Sequence, residues 1–242
     1  MPSFRSRSTL IAGFVGAYVA LDWVSHVHPV IPLAITPWNP SPGLALAFLL
    51  RYGWRNGGWL FVAALAAELA VRGAGESPAM LAARVAFIAA AYSLLALALT
   101  ERLRIDPDLT SLRDVSVLTV AAVLAVAAVA IGYVGISAAA GLIPAHELPG
   151  QAFRFWVGDL IGIIVLSPLL LVLGRRAQRE AFPAGVAEML VQAGSILLAL
   201  GLAFGLPLPP GFQPFYLLFL PLIWVDRKEH TSELQSRLHL VC

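Results

Sequence analysis

Apolar runs of roughly twenty residues, each about the length a helix needs to cross the hydrocarbon core of a bilayer, recur from Leu10 to Val225. They are apolar throughout and do not alternate with period two. They therefore predict helices rather than the strands of a transmembrane barrel. Eight spans are expected, at about residues 9–27, 38–52, 55–72, 79–101, 113–141, 153–174, 186–206 and 213–225. The fold class is all-α: a polytopic transmembrane helical bundle whose last span, Phe215 to Val225, is incomplete.

Local signals sharpen several boundaries. The second span is short and opens with Pro37-Trp38-Asn39-Pro40-Ser41-Pro42-Gly43. Three prolines there cannot continue a helix inward but suit its first turn, where the N–H groups lack intrahelical partners anyway. The polar hinge Ile105-Asp106-Pro107-Asp108-Leu109-Thr110 precedes the fifth span, with Thr110 or Ser111 as the N-cap. The fifth run, rich in alanine and valine, contains Gly132, Gly135 and Gly141, which allow it to bend or tilt. Loops are too short for a soluble domain between spans, and no internal repeat is evident, which weakens an inverted-repeat transporter.

Arginine gives the spans a direction. Of the 16 basic residues, Arg227, Lys228 and Arg237 lie beyond the last run. Ten of the remaining thirteen crowd alternate connections: Arg5 and Arg7, Arg51 and Arg55, Arg102, Arg104 and Arg113, and Arg175, Arg176 and Arg179. Only Arg72, Arg84 and Arg154 lie toward the other side. Cytoplasmic loops carry such an excess, so a bacterial inner-membrane protein with both termini cytoplasmic is expected. Trp38, Trp54, Trp59, Trp156 and Trp224 fall near span ends, where indole favours the interface. Asp22 interrupts the first run and no small-residue cleavage site follows, so that run reads as a retained span rather than a signal peptide.

Composition narrows function. With 59% hydrophobic and 12% charged residues, the chain is far from a soluble domain. The net charge of +2 is used for topology and offers no clustered basic face for nucleic acid. The single cysteine, Cys242, excludes an internal disulfide or cysteine metal site. From Asp226 the chemistry changes, and Glu229-His230-Thr231-Ser232-Glu233-Leu234-Gln235-Ser236 resembles the translation of a short-read sequencing adapter. The expected division is a membrane domain over 1–225 and a non-native tail over 226–242 that cuts the chain short of any downstream module.

Ionisable groups in or near the spans are the candidate chemistry. Asp22, Glu68, Arg84 and Asp159 are costly there, about 2.5–3.5 kcal/mol for Asp or Arg at a helix centre. Such groups face the bundle interior and find partners, either as a fixed interhelical pair or as a ligand or switch site. Asp159 has the most unusual neighbours: Arg154, Trp156, the small-xxx-small pair Gly158 and Gly162, and the Ser167-Pro168 break. Arg154 is five residues from Asp159 and does not share its face, so a partner on another span is expected, Arg84 or Asn39 first. His26, His28 and His146 lack carboxylates at ligand spacing, and no metal or other cofactor is expected. No phosphate loop, serine elbow or HExxH helix is present, so enzyme activity is not expected of these residues.

Two motifs, at similar spacing and in the same order, resemble the membrane-associated sensor domains of class one (the MASE family, first class). They are Trp38-Asn39-Pro40-Ser41-Pro42-Gly43 leading into a short span, and Phe155-Trp156-Val157-Gly158-Asp159-Leu160-Ile161-Gly162 leading into Ser167-Pro168. The closing Phe215–Trp224 run is similar to that family's last span. The resemblance covers nearly all of 1–225. It implies an eight-span sensory input module followed by a histidine kinase, a diguanylate cyclase or a cyclic-di-GMP phosphodiesterase, acting as a homodimer in the full-length protein.

The mechanism expected is a population shift between two packings of the bundle, driven by a membrane or periplasmic stimulus that binds them unequally. Candidate ligand or switch residues are Asp159, Trp156, Arg154, Trp38, Asn39, Glu68 and Arg84. The competing reading is a small-molecule or ion transporter using Glu68 and Asp159 as coupling carboxylates, and an integral-membrane enzyme is a third.

Overall fold

A computed structural model of the chain describes residues 4–26, 38–73 and 77–179. The chain divides into two units, Met1–Arg176 and Ala177–Cys242, and the fold set out below is that of the first. Among the described residues the apolar runs form six helices, and no strand occurs. These are α1 (Phe4–Ser25), α2 (Ser41–Tyr52), α3 (Gly57–Ala67, widening into a π turn over Glu68–Arg72), α4 (Pro78–Leu97, with a π turn over Ala98–Arg102), α5 (Leu112–Ala139) and α6 (Leu148–Arg179).

The caps follow from composition. Ser77 begins α4 by accepting the Met80 N–H, with Pro78 at the first helical position. Ser111, not Thr110, begins α5: its hydroxyl accepts the Asp114 N–H at 3.2 Å and donates to Asp114 Oδ2 at 2.7 Å. Gly53, at φ 97°, makes the tight turn between α2 and the short 3-10 turn Trp54–Asn56 that opens α3.

Cross-helix bonds set the helix directions. Arg72 at the end of α3 meets Asp22 at the end of α1, so these helices finish on the same side. At the opposite side, Arg51 at the end of α2 pairs with Asp108 at 2.7 Å. Trp54 Nε1 donates to Glu101 at the end of α4 at 2.8 Å. Helices α2, α4 and α6 thus run one way and α1, α3 and α5 the other. Arg51, Arg55, Arg102, Arg104 and Arg113 consequently gather at one end of the bundle, the sidedness that the sequence pattern predicts.

Among the described residues, four helical stretches are long and apolar enough to cross a bilayer: Arg7–Ser25, Pro78–Arg102, Leu112–Ala139 and Ala145–Gly174. One of the eight expected spans is revised. Helix α2 has 12 residues, about 18 Å at 1.5 Å per residue, and is enclosed by the bundle, with Ser41, Pro42, Gly43, Ala45 and every residue from Leu46 to Leu50 buried. It is an inner half-helix rather than a span. Helix α3, with the 3-10 turn before it and the π turn after it, is helical without a break over 54–72, the extent expected of the third span. The seventh and eighth expected spans, the Gly201–Gly205 seam, Trp224 and the tail lie outside the described residues.

Candidate functional site

The inward face of α6 is written at helical spacing: Gln151, Phe155, Asp159, Gly162, Ile163, Ser167 and Leu171 are all buried. Helix α6 begins earlier than the predicted sixth span, so Asp159 lies near the centre of the Ala145–Gly174 stretch. Its carboxylate takes two hydrogen bonds. Asn39 Nδ2 donates to Oδ1 at 2.9 Å, and the Tyr92 hydroxyl donates to Oδ2 at 2.5 Å. Asp159 is 3% exposed, and these bonds join α6 to α4 and to the turn before α2.

That turn explains the prolines. A helix that starts inside an apolar bundle must satisfy the N–H groups of its first turn without water. Here Pro40 and Pro42 have none to satisfy. The Ser41 N–H is accepted by Asn39 Oδ1 at 3.3 Å. The Gly43 and Leu44 N–H groups bond to Pro40 O at 3.0 and 3.2 Å. The Asn39 N–H is taken by Gly158 O at 3.1 Å, and the Ser41 hydroxyl reaches Tyr18 O on α1 at 3.4 Å. The helix also presents its positive N-terminal end toward the level of the Asp159 carboxylate, as the half-helices of membrane transporters do toward anionic groups.

The glycine seam of α6 seats this turn. A Cβ on Gly162 would overlap the backbone of Asn39 and Pro40, and one on Gly43 would overlap the backbone of Gly162. Ser167 Oγ closes the contact by donating to Gly43 O at 2.8 Å. The seam at Gly158 and Gly162 therefore admits an irregular turn rather than another straight helix.

A second polar cluster lies toward the ends of α1 and α3. Arg72 forks onto Asp22, with Nη1 to Oδ2 at 2.8 Å and Nη2 to Oδ1 at 3.4 Å, and lies 3.6 Å from Glu68. Tyr18 is buried one turn before Asp22, and its carbonyl accepts from the Ser41 hydroxyl, so this part of α1 touches both the second cluster's helix and the turn beside Asp159. Just past α1, burial and then the Arg72 charge lower the pKa of His26 below its ordinary value, against the opposing pull of Asp22. Replacing Arg72 by alanine would leave Asp22 and Glu68 without their shared cation. Because Arg72 is partly exposed, the expected loss is about 2 kcal/mol, short of the full cost of breaking a buried pair. Arg72→Lys should recover part of it by charge but not by fork geometry. Thermal unfolding in lipid nanodiscs checks both.

The sequence candidates thus separate. Asp159 and Asn39 come together and Glu68 joins Asp22. Arg84 is buried on α4 with its guanidinium carbon 5.2 Å from the centre of the Tyr133 ring. Trp156 donates Nε1–H to Val123 O on α5 at 3.0 Å, so it ties helices rather than anchoring at an interface. Trp38 is exposed and Arg154 sits on the outward side of α6. Sequence reasoning missed Tyr92, Tyr18 and Ser41, and read Arg72 only as a minor topological charge. Glu68 and Arg72 stand four apart, a spacing that marks an ion pair on a helix. Tyr92 carried no local signal. Among the described residues no group of His, Cys, Asp and Glu could hold a metal ion.

A helical bundle with spanning helices, an enclosed half-helix and a buried, hydrogen-bonded carboxylate defines an integral membrane protein with a polar centre. The chain matches the MASE1 family over residues 8–225 and belongs to it. MASE1 is a family of membrane sensory domains. No curated protein and no solved structure matches the chain.

Proposed function

We propose that this chain is the N-terminal sensory input module of a bacterial signal-transduction protein, working as a homodimer upstream of a histidine kinase or a cyclic-di-GMP enzyme. The observation that carries the reading is the Asp159 junction, where one carboxylate holds α4, α6 and the start of α2 together. A junction of neutral donors around one carboxylate has few bonds to exchange, so two packings of the bundle can lie close in energy. A stimulus that prefers one packing then shifts the population. The arginine-rich end faces the cytoplasm of an inner-membrane protein on this reading.

The test is the full-length receptor carrying Asp159→Asn. A signalling centre gives an altered output per molecule with unchanged membrane insertion. Lowered abundance with normal response per molecule would leave Asp159 a packing element only. The topology is checked separately: reporter fusions at Gly174 and His146 should report cytoplasm and periplasm respectively, and the same side for both would overturn the orientation.

A second reading, transport, is favoured by one feature, the half-helix α2 that begins beside a buried carboxylate at mid-height. Substrate-independent lack of flux in proteoliposomes, together with a signalling output, separates the two.

A further inference from the structure

We propose that the corner where the turn opening α3 meets the end of α4 is a docking surface for anionic phospholipid headgroups, with Arg55, Arg102 and Arg104 taking the phosphodiester charge. One bond builds the corner: Trp54 Nε1 donates to Glu101 Oε1 at 2.8 Å. Arg55 and Arg102 directly follow its two members in the chain, so a cation stands beside each end of the bond. Arg55 lies over the Trp54 ring, with its guanidinium carbon 5.4 Å from the centre. Arg104 stands just beyond Arg102, where α4 ends.

Other arginines of the bundle are answered inside it. Arg72 meets Asp22, Arg51 pairs with Asp108, and Arg113 lies 3.4 Å from Asp114. By contrast, Arg55, Arg102 and Arg104 are exposed and make no hydrogen bond or ion pair among the described residues. The acids nearby are engaged. Glu101 accepts from Trp54, and Asp106 accepts from the Asp108 N–H and the Thr110 hydroxyl.

Arg104 is held outward at a conformational cost. It closes α4 at φ 51°, in the left-handed region that glycine fills most easily. The Ile105 N–H returns to Leu99 O at 3.0 Å and the Ile105 side chain is buried, which fixes the turn and leaves Arg104 at the rim. An arginine there strains the fold without bonding within it, so its charge is available only to something outside.

The surface beside these cations is graded as a lipid is. Tyr52 and Trp59 are exposed next to them, and such rings favour the interfacial layer. Leu94, also exposed, stands eight residues before Arg102 on α4, about 12 Å along the helix and level with acyl chains. A free phosphate would meet the cations but not this apolar descent, so the occupant is a phospholipid. On the sidedness proposed above, this end lies at the cytoplasmic leaflet, whose anionic lipids attract basic residues. The test below uses symmetric bilayers and stands apart from the sensory reading.

The chain is reconstituted in phosphatidylcholine bilayers with a trace of spin-labelled phosphatidylglycerol or spin-labelled phosphatidylcholine, and the motionally restricted fraction of each label is measured. The chain should hold phosphatidylglycerol severalfold more than phosphatidylcholine, and added salt should weaken the preference. Replacing Arg55, Arg102 and Arg104 together by glutamine should remove most of it. Arg104→Gly separates surface from fold: it should raise the unfolding midpoint by relieving the left-handed arginine, yet lower the preference. If the triple variant does not fold, Arg104→Gly decides. Inorganic phosphate should not displace the label beyond the effect of sodium chloride at equal ionic strength. The surface is overturned if the unsubstituted chain shows no preference, if inorganic phosphate competes specifically, or if the full preference survives either variant.

Discussion

Gly162→Ala is expected to destabilise the bundle by about 3 kcal/mol or more, enough to remove most folded protein, while Gly135→Ala is neutral or slightly stabilising. The two glycines sit in similar apolar helices but meet different surroundings. A methyl group on Gly162 overlaps Asn39 O and Pro40 Cα, backbone atoms of a turn clamped by its own hydrogen bonds. Neither neighbour is the free end of a side chain, so the added methyl is absorbed only by parting α2 from α6. Overpacking of ordinary cores costs about 1–3 kcal/mol, and separation here also breaks the bonds from Asn39 to Gly158 and Asp159 and from Ser167 to Gly43. Gly135 has nothing within 4 Å of its would-be Cβ, and alanine is the better helix former by up to about 1 kcal/mol. Folded yield and unfolding midpoint in nanodiscs measure the contrast. Equal effects of the two substitutions would disprove the close crossing.

The second large effect is expected at Asp159, and its size depends on what replaces the carboxylate. Asp159→Leu strips the acceptor from both the Asn39 amide and the Tyr92 hydroxyl. Each buried donor left without a partner costs about 1–3 kcal/mol, so about 2–6 kcal/mol is lost in all. Asp159→Asn should cost far less. Its carbonyl can accept from Asn39, and its amide can donate to the Tyr92 oxygen, which a hydroxyl allows. Tyr92→Phe alone should cost about 1 kcal/mol. Added to Asp159→Leu it should cost nothing more, or restore stability, because it deletes a donor already orphaned. That non-additivity in a double-mutant cycle is the signature of a direct bond. Simple addition of the two losses would mean that Tyr92 and Asp159 do not interact.

Much of the architecture was legible because bilayer physics writes it locally. Run length, the sorting of arginines and the Ser77 and Ser111 caps depend on residues close in the chain. The helix of a Pro-rich short run was also legible, but not its depth. Whether Trp38–Gly43 opens a span at the interface or a half-helix inside the bundle depends on what accepts the Asn39 N–H, and that acceptor is 119 residues away, on Gly158. The same limit applied to the glycines: their spacing announced a close approach, but not that a turn would fill it.

The sequence by itself determined the solvent, the helices, their alternating directions and the membership of Asp159 and Asn39 in the centre, since each of these follows from periodicity, charge sorting or the cost of a bare carboxylate in an apolar run. Tertiary structure alone decided which donors answer that carboxylate. It chose Tyr92, two turns along α4 from Arg84, and sent Arg84 to the Tyr133 ring and Arg72 to Asp22. The physical reason is register. Partners across helices are selected by how far one helix slides and rotates against another, and that is set by packing of small residues such as Gly43 and Gly162, not by any property of the polar residues themselves.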